Sequence, residues 1–292
     1  MADVREFWLT NAKGVKYSLH STVQAFLNEP SGLGFGVDAS IIKLGNSSFI
    51  LSEDYDLGSA QGELIFFGSR QEVYNQYFKF TQFLYAKPIQ LHYRTPDRTE
   101  SYFCQVRVIS LEKTEVGHDG LLRCPISLLR QSMWYNDTKN VIEATNTALE
   151  GKKYPLYRPY HYGTVSTSNI EVYNAGIADA PMLVEVDGRV TDPAWSVYDE
   201  DNNLYGSAKI LGTYDYVSVN SDDLSESVGL IRDGSIIANA VNYQDLTVGD
   251  PRQVYVTFLK LRPGTSKMTF TFGTGEFGGI VRVTWRNAYV TV

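Results

Sequence analysis

The stretch PSGLGFG, residues 30 to 36, sets Gly32, Gly34 and Gly36 on alternate positions. Glycine-rich loops cradle phosphates where they join a strand to a helix, because the helix N-terminus then points unpaired N–H groups at the anion. A dinucleotide fingerprint needs G-x-G-x-x-G in that setting, and a P-loop needs G-x-x-x-x-G-K-[ST]. Here the spacing is G-x-G-x-G and no Lys-Ser or Lys-Thr follows. The continuation VDASIIKLGNSSFILSED has the β-branched character of strands where a helix should open. The three glycines are therefore expected to form a tight structural turn between strands, with Gly34→Val damaging folding or assembly.

Other chemical motifs fail in comparable ways. DEDNN begins like a calcium loop with Asp199, Asp201 and Asn203, but the glycine position holds Leu204 and the bidentate acid position holds Ile210. There is no G-x-S-x-G and no H-E-x-x-H, and His20, His92, His118 and His161 stand apart. Cys104 and Cys124 fall on neighbouring expected strands without a C-x-x-C, which reads as two reduced core thiols. The expectation is no catalytic residue, no cofactor and no metal.

Charge narrows the partners. Residues 1 to 153 carry 16 basic and 17 acidic side chains, and residues 154 to 292 carry 10 and 16, so the halves stand near −1 and −6 of the net −7. An acidic second half without a Lys/Arg stripe argues against a nucleic-acid groove. With a charged start and no 18-residue apolar run, the chain reads as soluble and unexported, with no membrane span. The 20 Tyr and 14 Phe suit strands and contact surfaces.

The elements read as mainly β. GELIFFG (62–68) is a buried strand, and Ser69 with Glu72 gives the spacing of a capping box for a helix over 69–86, stopped by Pro88. Val73, Tyr77, Phe80 and Leu84 form one stripe of that helix. Tyr74, Phe78 and Tyr85 widen the apolar arc and are a candidate face for another subunit. Strands at 102–116 and 121–135 pair as a hairpin across GHDG. Residues 1–150 are thus expected to be a β-sheet domain with one helix. A semi-rigid spacer, YPLYRPYHYG within 151–163, leads to a β-sandwich or jelly-roll over 164–292, where short strands alternate with turns.

Several segments in order carry a resemblance. FWLTNAKGVKYSL, PSGLGFG followed by IKLGNSSFIL, GELIFFGS before the aromatic helix, GLLRCPISL ending in MWY, and the YPLYRPYHYG junction resemble the distal tail proteins of long-tailed, non-contractile phages of Gram-positive bacteria. The resemblance covers most of the first half and the junction; the second half matches in type alone. It implies an N-terminal domain closing into a six-membered ring, with a galectin-like C-terminal sandwich projecting outward. It also implies a structural role as baseplate hub at the virion tail tip, after assembly in the host cytoplasm. The implied partners are further copies of the chain, the tail tube protein, the tail-tip or tail-associated lysin protein and, in many phages, receptor-binding proteins. Neither half has a large insertion, so the extra carbohydrate-binding modules of enlarged relatives are not expected. The alternative reading is a sugar-binding sandwich in which Trp195 and Tyr205 stack on a cell-wall saccharide.

Overall fold

A computed structural model of the chain describes residues 5–34, 36–96, 99–145, 167–240, 254–255, 258–273 and 279–292. The spacer over 151–163 lies outside the described residues. Two compact units result, Met1–Thr138 with Tyr289–Val292, and Lys139–Ala288.

The first unit contains β1 (Glu6–Asn11), β2 (Lys16–Ser18), β3 (Phe26–Ser31), β4 (Val37–Leu44), β5 (Ser47–Tyr55), β6 (Ser59–Phe66), α1 (Arg70–Leu84), β7 (Ile89–Arg94), β8 (Tyr102–Leu111), β9 (Leu122–Arg130) and β10 (Trp134–Asn136). Its main sheet runs antiparallel in the order β2-β1-β7-β8-β9-β6-β3. The expected hairpin is the β8–β9 pair, and its reversal is closed by bonds from Gly117 N–H to Leu121 C=O and from Gly120 N–H to Gly117 C=O, with Gly120 at φ +79°.

Helix α1 begins where the sequence places it. The Glu72 carboxylate accepts hydrogen bonds from the Ser69 N–H and hydroxyl, both at 2.7 Å, and these hold its carboxyl below the usual range. Val73, Phe80 and Phe83 are its buried residues, while Tyr77 and Leu84 are only partly covered. Phe83 takes a place in the core that the stripe reading did not give it. Tyr17 closes this cluster, its ring 4.8 Å from Phe80 and 5.4 Å from Phe83, and burial pushes its phenol up to about 12. Leu9, Leu64, Phe66, Leu122 and both cysteines complete the core beneath the helix.

Of the three glycines expected to turn the chain, Gly32 is the one whose backbone requires glycine. β3 bulges against β6 between Asn28 and Ser31, with Glu29 at φ +46° and Gly32 at φ +73°. A Cβ at Gly32 would collide with the Ser59 carbonyl oxygen. Gly34 has ordinary backbone geometry and no atom within 4 Å of its Cβ position, and Gly36 would meet only the Asp56 side chain at 3.3 Å. Sequence spacing shows three glycines and cannot show which one another backbone approaches.

The second unit contains β11 (Asn140–Thr145), β12 (Thr167–Asn174), β13 (Ala180–Thr191), β14 (Ala194–Tyr198), β15 (Leu204–Ile210), β16 (Thr213–Asn220), β17 (Ser227–Arg232), β18 (Ser235–Ala240), β19 (Val254–Tyr255), β20 (Lys260–Leu261), β21 (Gly264–Thr271) and β22 (Ile280–Trp285). One sheet runs β11-β22-β13-β16-β17-β18 with β20 on β13, and the other runs β12-β21-β14-β15-β19. In β13, β21 and β22 buried residues alternate with part-buried ones, so each sheet keeps one face dry, as a β-sandwich requires. β11 pairs with β22 along its whole length. That pairing draws Asn140–Thr145 into the second unit and puts the division between Thr138 and Lys139, ahead of the boundary near residue 151 read from composition.

Two outcomes test this packing. Gly32→Ala is expected to cost more than about 1 kcal/mol in urea denaturation, from strain at positive φ plus the backbone collision, whereas Gly34→Ala should change stability by less than ~0.5 kcal/mol. Cys104 and Cys124 are free and fully buried, and burial pushes both thiols up. A thiol-reactive chromogen is therefore expected to count no thiols in the native protein and two after denaturation.

Candidate assembly surface

β4 and β5 form a hairpin of their own, paired from Val37↔Tyr55 to Leu44↔Ser47 with a bulge at Leu51 between Ser40↔Ser52 and Ile41↔Ile50, and reversed over Gly45 at φ +61° and Asn46. Among the described residues neither strand joins the main sheet. An isolated two-stranded ribbon has no face to bury its apolar side chains against. Accordingly Phe49 is 53 %, Ile50 61 % and Leu51 65 % exposed, and Ile41, Ile42 and Leu44 are exposed as well. Apolar residues on both faces of a strand read in sequence as a buried strand; here they form a concentrated exposed apolar surface.

The root of this hairpin is held by one cation. Arg130, 3 % exposed, donates from its guanidinium to Gly34 C=O at 3.4 Å, just ahead of β4, and to Val290 C=O at 3.3 Å. Its backbone N–H donates to Gly58 C=O at 3.1 Å, just after β5. Burial pulls the Arg130 pKa down, and the Asp56 carboxylate opposes that shift. Asp56 in turn closes the hairpin, its N–H bonded to Gly36 C=O and its carboxylate accepting from Gly58 N–H. Thr291 Oγ1 donates to Leu33 C=O, so the last residues of the chain pin the same segment. The sequence does carry a signal for Arg130: Leu122, Cys124, Ile126 and Leu128 alternate inward along β9, and position 130 continues that parity.

The expected helix face divides in two. Tyr74 is engaged within the unit, its hydroxyl donating to Glu115 at 2.6 Å with the Lys113 ammonium 5.3 Å from its ring centre. Phe78 and Tyr85, two turns apart, are 61 % and 87 % exposed.

Of the two residues proposed for sugar stacking, Trp195 presents no open ring and Tyr205 is half-buried. Trp195 is 2 % exposed and packs on Phe270 at 6.2 Å, so it belongs to the sandwich core. Tyr205 donates to or accepts from Ser266 through its hydroxyl at 2.9 Å, and the Arg262 guanidinium lies 4.5 Å over its ring. The calcium-like stretch is a turn in which the Asp199 carboxylate accepts from the backbone N–H groups of Asn203 and Asp201, which hold its pKa low. Among the described residues no group of three His, Cys, Asp or Glu could hold a metal, and no helix is long and apolar enough to cross a membrane.

Residues 6–130, which span the main sheet, the helix and the hairpin, match the family model described as distal tail protein, N-terminal domain. Most of the first unit is thus similar to the N-terminal domain of distal tail proteins. The resemblance read from the ordered motifs is thereby borne out over that stretch. Over nearly the whole chain the fold is similar to a chain of the phage P2 baseplate in its activated conformation with Ca, at TM-score 0.58 and 15 % identity, covering 99 % of this chain and 100 % of that one. It is also similar to SPP1 Dit, described as a paradigm of the hub adsorption apparatus in Gram-positive-infecting phages, at TM-score 0.62 and 12 % identity, covering 96 % and 98 %. At these identities the likeness is one of fold. Comparison with curated protein sequences gives no match.

Within the first unit Arg130 is a buried cation bonded to two distant stretches of backbone. Arg130→Met is expected to cost about 2–4 kcal/mol, because it leaves the buried Val290 carbonyl without its donor and releases the more exposed Gly34 carbonyl to water. Arg130→Lys should recover only part of that, since a single ammonium lacks the planar fork. Urea denaturation reads the loss, and limited proteolysis should then cut between residues 34 and 58 first.

Proposed function

We propose that this chain is the structural hub subunit of a long-tailed, non-contractile phage of a Gram-positive host. In this reading it forms a ring of six copies at the tail tip, joining the tail tube protein to the tail-tip or tail-associated lysin protein and to receptor-binding proteins. Residues up to about 150 form the ring, and the acidic sandwich after the Tyr/Pro-rich spacer stands outward as a galectin-like domain. The role is structural rather than enzymatic, with assembly in the host cytoplasm before incorporation into the virion.

The observation that carries the reading is the exposed apolar hairpin on a domain of the distal tail family. A ring closes through a heterologous interface, in which one patch of each subunit meets a different patch of the next. Permanent interfaces of that kind commonly bury ~2,000 Å² or more and favour aromatic and aliphatic anchors. Phe49, Ile50 and Leu51 on the hairpin and Phe78 and Tyr85 on the helix are such anchors, placed on different elements. Against the sugar-binding alternative, Trp195 is enclosed and one face of the Tyr205 ring is taken by Arg262.

Negative-stain imaging together with the mass in solution tests the proposal. Six-fold rings, formed alone or on mixing with the tube and tail-tip proteins, are the expected result. A protein that stays monomeric in every such mixture would sink it.

A further inference from the structure

The main sheet carries a stretch of open edge in its interior. β7 pairs with β8 from Tyr93↔Tyr102 to Ile89↔Val106 and ends there, since Pro88 lies in the turn that comes from α1. β8 continues to Leu111 with β9 on one side, and on the other side Arg107–Leu111 has no strand partner among the described residues. A groove of about 780 Å³ lies between this edge and the end of α1, lined by Tyr77, Leu84 and Tyr85 of the helix and by Val108 and Leu111 of the strand. Val108 and Leu111 are partly buried against the core, whereas Arg107 is exposed and, one position from Val108, takes the other face of the strand. Arg107 and Lys87 are the charged residues of the lining, and neither has an acidic partner among the described residues.

We infer that this groove holds one extended segment of a different protein, alternating apolar with acidic residues, which adds as a strand to β8 at Arg107–Leu111. The inference rests on the hub reading above, since a hub holds chains other than its own, and it names where the first unit takes one. An open edge offers backbone N–H and C=O groups that an extended segment can pair. Arg107–Leu111 spans about 17 Å of strand, enough to set a short segment in one register. With β8 on one side and the end of α1 on the other, the groove suits a lone strand, whereas every strand of this chain already has a strand partner among the described residues. The occupant therefore comes from outside the chain. Its pattern follows from the two faces of β8. Side chains on the Val108 side enter among Tyr77, Leu84 and Leu111 and are apolar. Those on the Arg107 side meet a cation with no acid beside it, and a carboxylate there completes the pair.

Fluorescence anisotropy of short labelled peptides with the full chain tests this. One peptide alternates Val with Glu, a second alternates Val with Lys, and a third is the first with Pro at its centre. The Val/Glu peptide is expected to bind about tenfold or more tightly than either of the others, because Lys meets like charge and Pro removes a ladder donor. Val108→Asp should weaken its binding by about tenfold or more. Arg107→Glu combined with Lys87→Glu, both at exposed positions, should leave the fold intact and reverse the preference to the Val/Lys peptide. Equal binding of the Glu and Lys peptides, no binding of either, or a preference that survives the charge reversal would overturn the assignment. So would oligomers of the chain that dissociate as the peptide binds, because the occupant would then be a second copy. Mass in solution and negative-stain images of the same samples keep the two readings apart. Rings that bind no Val/Glu peptide would leave the hub and remove this site, and a protein that binds it without ever forming rings would retain the groove and remove the ring.

Discussion

A buried guanidinium at the foot of the hairpin is the constraint on which the first unit turns. Removing Arg130 from water is costly, and the cost is offset only because carbonyls from separate stretches of chain converge on it. Gly34 precedes the hairpin, Gly58 accepts from the Arg130 backbone just after it, and Val290 arrives from the far end of the sequence. A hydrophobic residue at this position would fill space and keep the backbone bond to Gly58, but could not hold the Gly34 and Val290 carbonyls together. The hairpin can therefore remain apolar and uncovered along its length while its root is fixed.

The aromatic residues of α1 illustrate how one helix serves two purposes. Its sheet-facing side is occupied by Val73, Phe80 and Phe83, which join Tyr17 and Phe66 in the core. On the other side Tyr74 is drawn into a local pair with Glu115, while Phe78 and Tyr85 stay bare. Fully burying a side chain of this size is worth on the order of 1.5–3 kcal/mol, so leaving two of them in water is a standing cost that contact with another protein would recover.

Much of this was legible in the sequence, for reasons that can be stated residue by residue. The helix start was readable because Ser69 and Glu72 satisfy each other locally, and the β8–β9 hairpin because its turn glycines sit between alternating strands. The strand periodicity of 264–271 and 280–285 likewise fixed which residues face inward. What could not be read depends on long-range approach. Gly32 is constrained by Ser59, some 27 positions away, so Gly34 looked equally plausible as the pivot. Trp195 looked available because sequence does not distinguish a ring at the edge of a sandwich from one inside it. The exposed hairpin was masked by its own composition, since apolar residues on both faces imitate a strand buried on both sides. The boundary near residue 151 followed a composition change, whereas the chain changes units earlier, at the strand pairing of β11.

The return of Tyr289–Val292 to the first unit bears on the order of events during synthesis. The carbonyl of Val290 and the hydroxyl of Thr291 reach the hairpin root only after the ribosome has translated all of Lys139–Ala288. An interrupted chain that stops within the second unit thus carries an incompletely satisfied Arg130 and a loosely rooted hairpin.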